Sequence, residues 1–149
     1  MENLLLLPVS KPDMNKLEEA YEVAGDLATQ RTGALIKVPK FFQYDGASIP
    51  APMWQLIGTP FQPRFMTAAV FHDWLYHTHQ VDKKTSDELF HELLLASGVR
   101  PTKAGLIKTA VETFGGWYWN NDEEDQAYIT RLAERILADG RDPADYGLS

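Results

Sequence analysis

The sequence predicts an α+β fold: a small N-terminal antiparallel sheet packed on a C-terminal bundle of three to four helices. Two observations predict it. Up to about residue 63 the chain is extended and punctuated by proline, and near residue 64 it switches to apolar residues at helical spacing. No internal repeat or low-complexity tract divides it, so its 149 residues read as one domain. Within 1–149 the strand- and loop-rich part is 1–63, the helical part 64–140, and 141–149 a loose tail.

The elements follow in order. "LLLLPV" is a short apolar run ending at Pro8. Residues 13–19 read as helix or loop, with Asp13 as a cap, and strand begins at about residue 20. "YEVAGDL" and "GALIKVP" read as two strands with Thr32-Gly33 as the turn. In Ala34–Val38 apolar residues dominate around Lys37, as in a half-buried strand, and Pro39 ends ladder donation. Asp45-Gly46 signals a turn. Ser48 precedes Ile49-Pro50, and Ala51-Pro52-Met53-Trp54 reads as a short turn of helix.

The helices come next. Residues 64–78 carry Phe65, Ala68, Ala69, Phe71 and Leu75 at helical spacing. Thr85-Ser86-Asp87-Glu88 predicts a helix entrance with Thr85 as cap and Glu88 at the return position of a capping box. That helix runs to Gly98, a natural C-terminal stop. Pro101 opens the next, and Gly115-Gly116 breaks it. Residues 122–138 form a last amphipathic helix with Ile129, Leu132, Ile136 and Leu137 inward.

Composition excludes several functions. With a net charge of −7 and Lys and Arg scattered, the chain lacks the basic stripe of a nucleic-acid binder. The acidic run Asp122-Glu123-Glu124-Asp125 reads as a solvated helix start. The absence of cysteine excludes disulfides and thiolate metal or redox chemistry. No apolar run approaches the roughly 20 residues a membrane span needs. "NLLLL" is too short for a secretory leader and has no basic residue before it.

One constellation carries chemistry. On a helix His72 and Tyr76 share a face, and Asp73 points about 100° away. Asp87, Phe90 and His91 share a face of the next helix. The short connection from His77 to Lys84 favours an antiparallel pair, which brings Asp87 near the ring of His72. An acceptor on one imidazole nitrogen fixes the tautomer and leaves the other as a base. Asp73, with Asp45 and loop carbonyls of 44–48, offers hard oxygen ligands for Ca²⁺, which would polarise a carbonyl. Gly46, Ser48 and Trp74 are the candidate turn and substrate-side residues.

Two resemblances add to this. "YDGASIP", then "AAVFHDWLY" and "SDELF", resemble a family of small uncharacterised phage, prophage and bacterial proteins, DUF1353, over roughly residues 34–116. The resemblance implies a phage or prophage gene, often among virion or lysis genes. It thereby implies structural phage proteins as partners, and the host cytoplasm during assembly, or the virion, as the location. Second, His72-Asp73-x-x-Tyr76 with a later Asp87 is similar to the core of secreted phospholipase A2. That similarity implies His72 as the base activating water and Asp73 as a calcium ligand. It implies Asp87 as the orienting residue and Tyr76 as a supporting hydroxyl. The chain departs from that family in lacking its cysteines and its glycine-rich calcium loop.

Each residue also has a plain structural role open to it. His72 is readable as a satisfied core histidine, Asp73 as a partner of His77, Asp87 as a carboxylate favouring the helix dipole, and Asp45 as a turn former. His79 and His91 read as surface residues, and "GGWYWNN" as packing. Two function classes follow. One is an ester or amide hydrolase acting on a lipid or peptide-like substrate. The other is a non-enzymatic virion (tail or neck) or accessory component that binds protein partners, favoured by the absence of a nucleophile elbow, P-loop or zinc signature.

Overall fold

The extended half of the chain folds as two antiparallel ribbons rather than the single sheet expected. The computed structural model describes residues 6–8, 21–31, 34–44, 63–120 and 122–148. In the first ribbon β2 (Tyr21–Val23) lies between β1 (Leu6–Pro8) and β5 (Gln43–Tyr44). In the second, β3 (Leu27–Arg31) pairs with β4 (Ala34–Val38), Leu27 opposite Val38 and Arg31 opposite Ala34. "YEVAGDL" is therefore split between two ribbons. Strand alternation decides which side chains enter the core: Leu27, Thr29, Ile36 and Val38 are buried, while Leu35 is exposed. The predicted turn at Thr32-Gly33, the 13–19 segment and the region from Asp45 through Trp54 lie outside the described residues.

The second half is helical: α1 (Pro63–Thr78), α2 (Lys83–Ala96), α3 (Pro101–Phe114), the single turn α4 (Gly116–Trp119) and α5 (Asp122–Ala138). The fold is α+β. Prolines at the first positions of α1 and α3 start helices where a missing N–H costs nothing. Helix α1 is the central element. Every residue from Ala68 to Tyr76 is buried, because α2, α4, α5 and β4 all pack against it.

Three local expectations are corrected. The cap of α2 is Asp82, not Thr85: its backbone is extended and its carboxylate accepts from the Thr85 N–H at 2.7 Å. On α5, Leu132 and Ile136 are buried but Leu137 is exposed, since it stands about 140° round the helix from Leu132. The tail is docked. It forms a 3₁₀ turn, Pro143–Tyr146, that buries Tyr146 and Leu148. The Tyr146 hydroxyl donates to Asp26 Oδ2 at 2.5 Å, and Arg141 pairs with Asp26 as well.

Candidate functional site

Helices α1 and α2 are joined by only four residues, so they pack side by side and face each other through their first-shared turns. His72 and Tyr76, one turn apart on α1, meet Asp87 on the second turn of α2. His72 Nε2 lies 2.8 Å from Asp87 Oδ1, and the Tyr76 hydroxyl donates to the same oxygen at 2.7 Å. The second oxygen, Oδ2, accepts from Lys83 Nζ at 2.8 Å. The imidazole is stacked on Phe90, centroids 4.5 Å apart, and tilted over Tyr76 at 4.2 Å.

The electrostatics assign the protons. Burial acts against ionisation of Asp87, but the contacts from His72, Lys83 and Tyr76 outweigh it and hold the carboxyl below its usual value. An ionised carboxylate only accepts, so His72 Nε2 carries the ring proton and Nδ1 the lone pair. Burial pushes the His72 pKa down, although Asp87 opposes this, so the ring is neutral at pH 7. Burial likewise pushes Tyr76 up, which keeps it a phenol donor. The arrangement can orient a neutral imidazole through its Nε2–H. His72 is only 1% exposed, so chemistry there also requires an opening.

The other predicted residues go elsewhere. Asp73 is buried on α1, close enough to Tyr128 for its charge to help push that phenol's pKa up, after burial itself. Trp74 lies about 200° round α1 from His72. It packs edge-on against Phe42 at 5.1 Å, and its buried indole N–H has no hydrogen-bond partner among the described residues. Asp45, Gly46 and Ser48 lie outside the described residues. Hard cations take six to eight oxygen ligands. Among the described residues no group of three or more His, Asp or Glu side chains gathers as a metal site.

Two features escaped the sequence reading. Lys83 completes the Asp87 cluster through its bond to Oδ2. Asp125, expected in a solvated run, is buried and pairs with His77 Nδ1 at 2.6 Å. Lys83 was findable as the residue four before Asp87; Asp125, 48 residues from His77, left no local signal. His79, with positive φ, stacks on Trp119 at 3.8 Å. Among the described residues no helix is long and apolar enough to cross a membrane.

Two uncharacterised proteins of Sinorhizobium fredii (strain NBRC 101917 / NGR234) are similar to this chain. The first, y4iH, is 39% identical over 71 residues, 48% of this chain and 30% of its own length. The second, y4jT, is 32% identical over 96 residues, 64% of this chain and 29% of its own length. The chain thus spans under a third of these curated relatives. No solved structure matches. Residues 19–111 match the family described as "Protein of unknown function (DUF1353)". That span holds His72, Tyr76, Lys83 and Asp87 together, and over most of its length the chain belongs to the DUF1353 family.

Proposed function

We propose that His72 and Asp87 form the acid–base centre of a hydrolase acting on an ester or amide of a lipid or peptide-like substrate. The observation that carries this reading is the carboxylate of Asp87, held on both oxygens and directed at His72 Nε2. In the reaction, His72 Nδ1 takes a proton from water as the water oxygen bonds to the carbonyl carbon. The C=O π pair moves onto oxygen. The adduct then collapses, the bond to the leaving group breaks, and the imidazolium returns its proton to that group. Asp87 stays ionised throughout, and Tyr76 holds it in place. Such general-base assistance contributes roughly 10²–10⁴-fold. The likeness of His72, Asp73, Tyr76 and Asp87 to phospholipase A2 belongs to the same reading.

The test is turnover of p-nitrophenyl esters and phosphatidylcholine micelles by wild type, His72→Ala and Asp87→Asn, with circular dichroism as the folding control. Both variants are expected to lose roughly 10²-fold or more. Equal turnover in folded His72→Ala would end the reading. Calcium enters separately, with Asp73 and Asp45 as its ligands. Calorimetric titration of chelator-treated protein, repeated on Asp73→Asn, tests it; no heat at millimolar Ca²⁺ removes that role.

The burial of His72 and Asp87, each 1% exposed, favours a second reading. In it the protein is a non-enzymatic virion or accessory component, and the cluster only ties helices together. Under that reading His72→Phe keeps every partner interaction and no variant changes a hydrolysis rate.

A further inference from the structure

Lys83 sits where local helix electrostatics oppose it. It is the first residue of α2, whose first turn contains no acidic side chain, and a cation there faces the positive end of the helix dipole. The tertiary contacts reverse that cost. Its ammonium donates to Asp87 Oδ2 at 2.8 Å, to the Val111 carbonyl at 3.0 Å and to the Glu112 carbonyl at 3.3 Å. An ammonium has three protons, and all three have acceptors. The two carbonyls belong to the last turn of α3, the negative end of that helix. The ammonium also lies 5.8 Å from the centre of the Tyr76 ring.

The geometry points to Lys83 as a positioning residue, one that ties Asp87 to the C-terminal end of α3 and thereby keeps its carboxylate ionised as the acceptor of the His72 Nε2 proton. It rests on the hydrolase reading for its link to turnover, though its effect on the imidazole stands without it. Oδ1 is already shared between His72 and Tyr76, so Lys83 is the partner seen on Oδ2. Remove the ammonium, and Oδ2 is left in a site only 1% exposed. A buried carboxylate lacking its counter-charge takes up a proton. A protonated Asp87 becomes a donor to Nε2, and the ring proton moves to Nδ1. Lys83 would then act through Asp87 without touching substrate.

The experiment reads the tautomer directly. Protein labelled with ¹⁵N-histidine and ¹³C-aspartate is compared as wild type, Lys83→Met, Lys83→Gln and Lys83→Arg, each checked for folding by circular dichroism. Wild type is expected to show His72 protonated at Nε2 and Asp87 ionised. Lys83→Met is expected to show Nδ1–H and a protonated carboxyl. Lys83→Arg, which keeps the charge, is expected to retain the wild-type pattern. On p-nitrophenyl esters, Lys83→Met is expected to lower kcat roughly tenfold or more with KM little changed. If Lys83→Met does not fold, Lys83→Gln carries the same comparison. Wild-type shifts in a folded neutral variant overturn the positioning role. Failure of the hydrolase reading looks different: wild-type protein turns nothing over, while the tautomer still follows residue 83.

Discussion

At the scale of single residues, the Asp87 carboxylate concentrates more interaction than any other described group in the α1–α2 contact. Three donors converge on it inside the protein, so its removal strands buried polar hydrogens. Asp87→Ala is expected to cost about 3 kcal/mol or more, read as a lower urea midpoint. The same group predicts a pH dependence. Its folded pKa is depressed, so its stabilisation is present above the unfolded value of 3.8 and is lost as pH falls through the folded value. His72, lowered by burial from 6.5, acts in the same sense: the unfolded chain takes up a proton first, so stability begins to fall below about pH 6.5. Urea unfolding across pH 3–8 should therefore lose stability on acidification. His72→Phe should flatten the upper part of that loss and Asp87→Asn the lower part; parallel curves for all three proteins would contradict the assignment.

At the scale of elements, the junction of α3 and α4 has to come very close to α1. A Cβ at Gly115 would lie 2.6 Å from the Tyr76 hydroxyl oxygen and would also collide with the Val111 carbonyl. Backbone and a buried aromatic ring cannot retreat as a flexible side chain can. Gly115→Ala is expected to displace Tyr76 from Asp87 and cost about 1–3 kcal/mol. In a Tyr76→Phe background, where that hydroxyl is gone, the penalty should shrink. A double-mutant cycle measures the difference, and strict additivity would mean that the collision with Val111 alone sets the cost. The break at Gly115-Gly116 therefore does more than end a helix. It lets α3 present its last carbonyls to Lys83 while Tyr76 reaches Asp87 beneath them.

At the scale of the whole molecule, the C-terminal turn joins the two halves. Tyr146 is buried beside β4, and its hydroxyl and Arg141 both reach Asp26, in the segment leading into β3. A second link joins Arg135 of α5 to Glu22 of β2. The guanidinium of Arg135 also lies 4.1 Å from the centre of the Phe41 ring, whose backbone holds a positive φ. Tyr146→Ala is expected to cost about 3 kcal/mol or more. Asp26→Asn should cost much less, because that pair is solvent-screened. Thermal unfolding of the two variants checks the order; a larger loss in Asp26→Asn would shift the weight from packing to charge.

What the sequence determined by itself is local. Pro63, Pro101 and Gly115 bound helices because each acts on its own turn, and the spacing of His72 and Tyr76 puts both on one face. The short connection after α1 was enough to expect Asp87 beside the imidazole, since four residues leave few ways to join two helices. What the tertiary structure decided is non-local. Asp125 looked like one charge in a solvated run until α5 laid it against His77, 48 residues away. Lys83 draws two of its acceptors from the end of α3, 28 and 29 residues further on. The tail looked loose until Asp26 met Tyr146 across 120 residues. Periodicity and capping report which way a side chain points along its own element. They hold no record of what arrives from elsewhere to satisfy it, and for a buried charge that arriving partner sets both its protonation and its role.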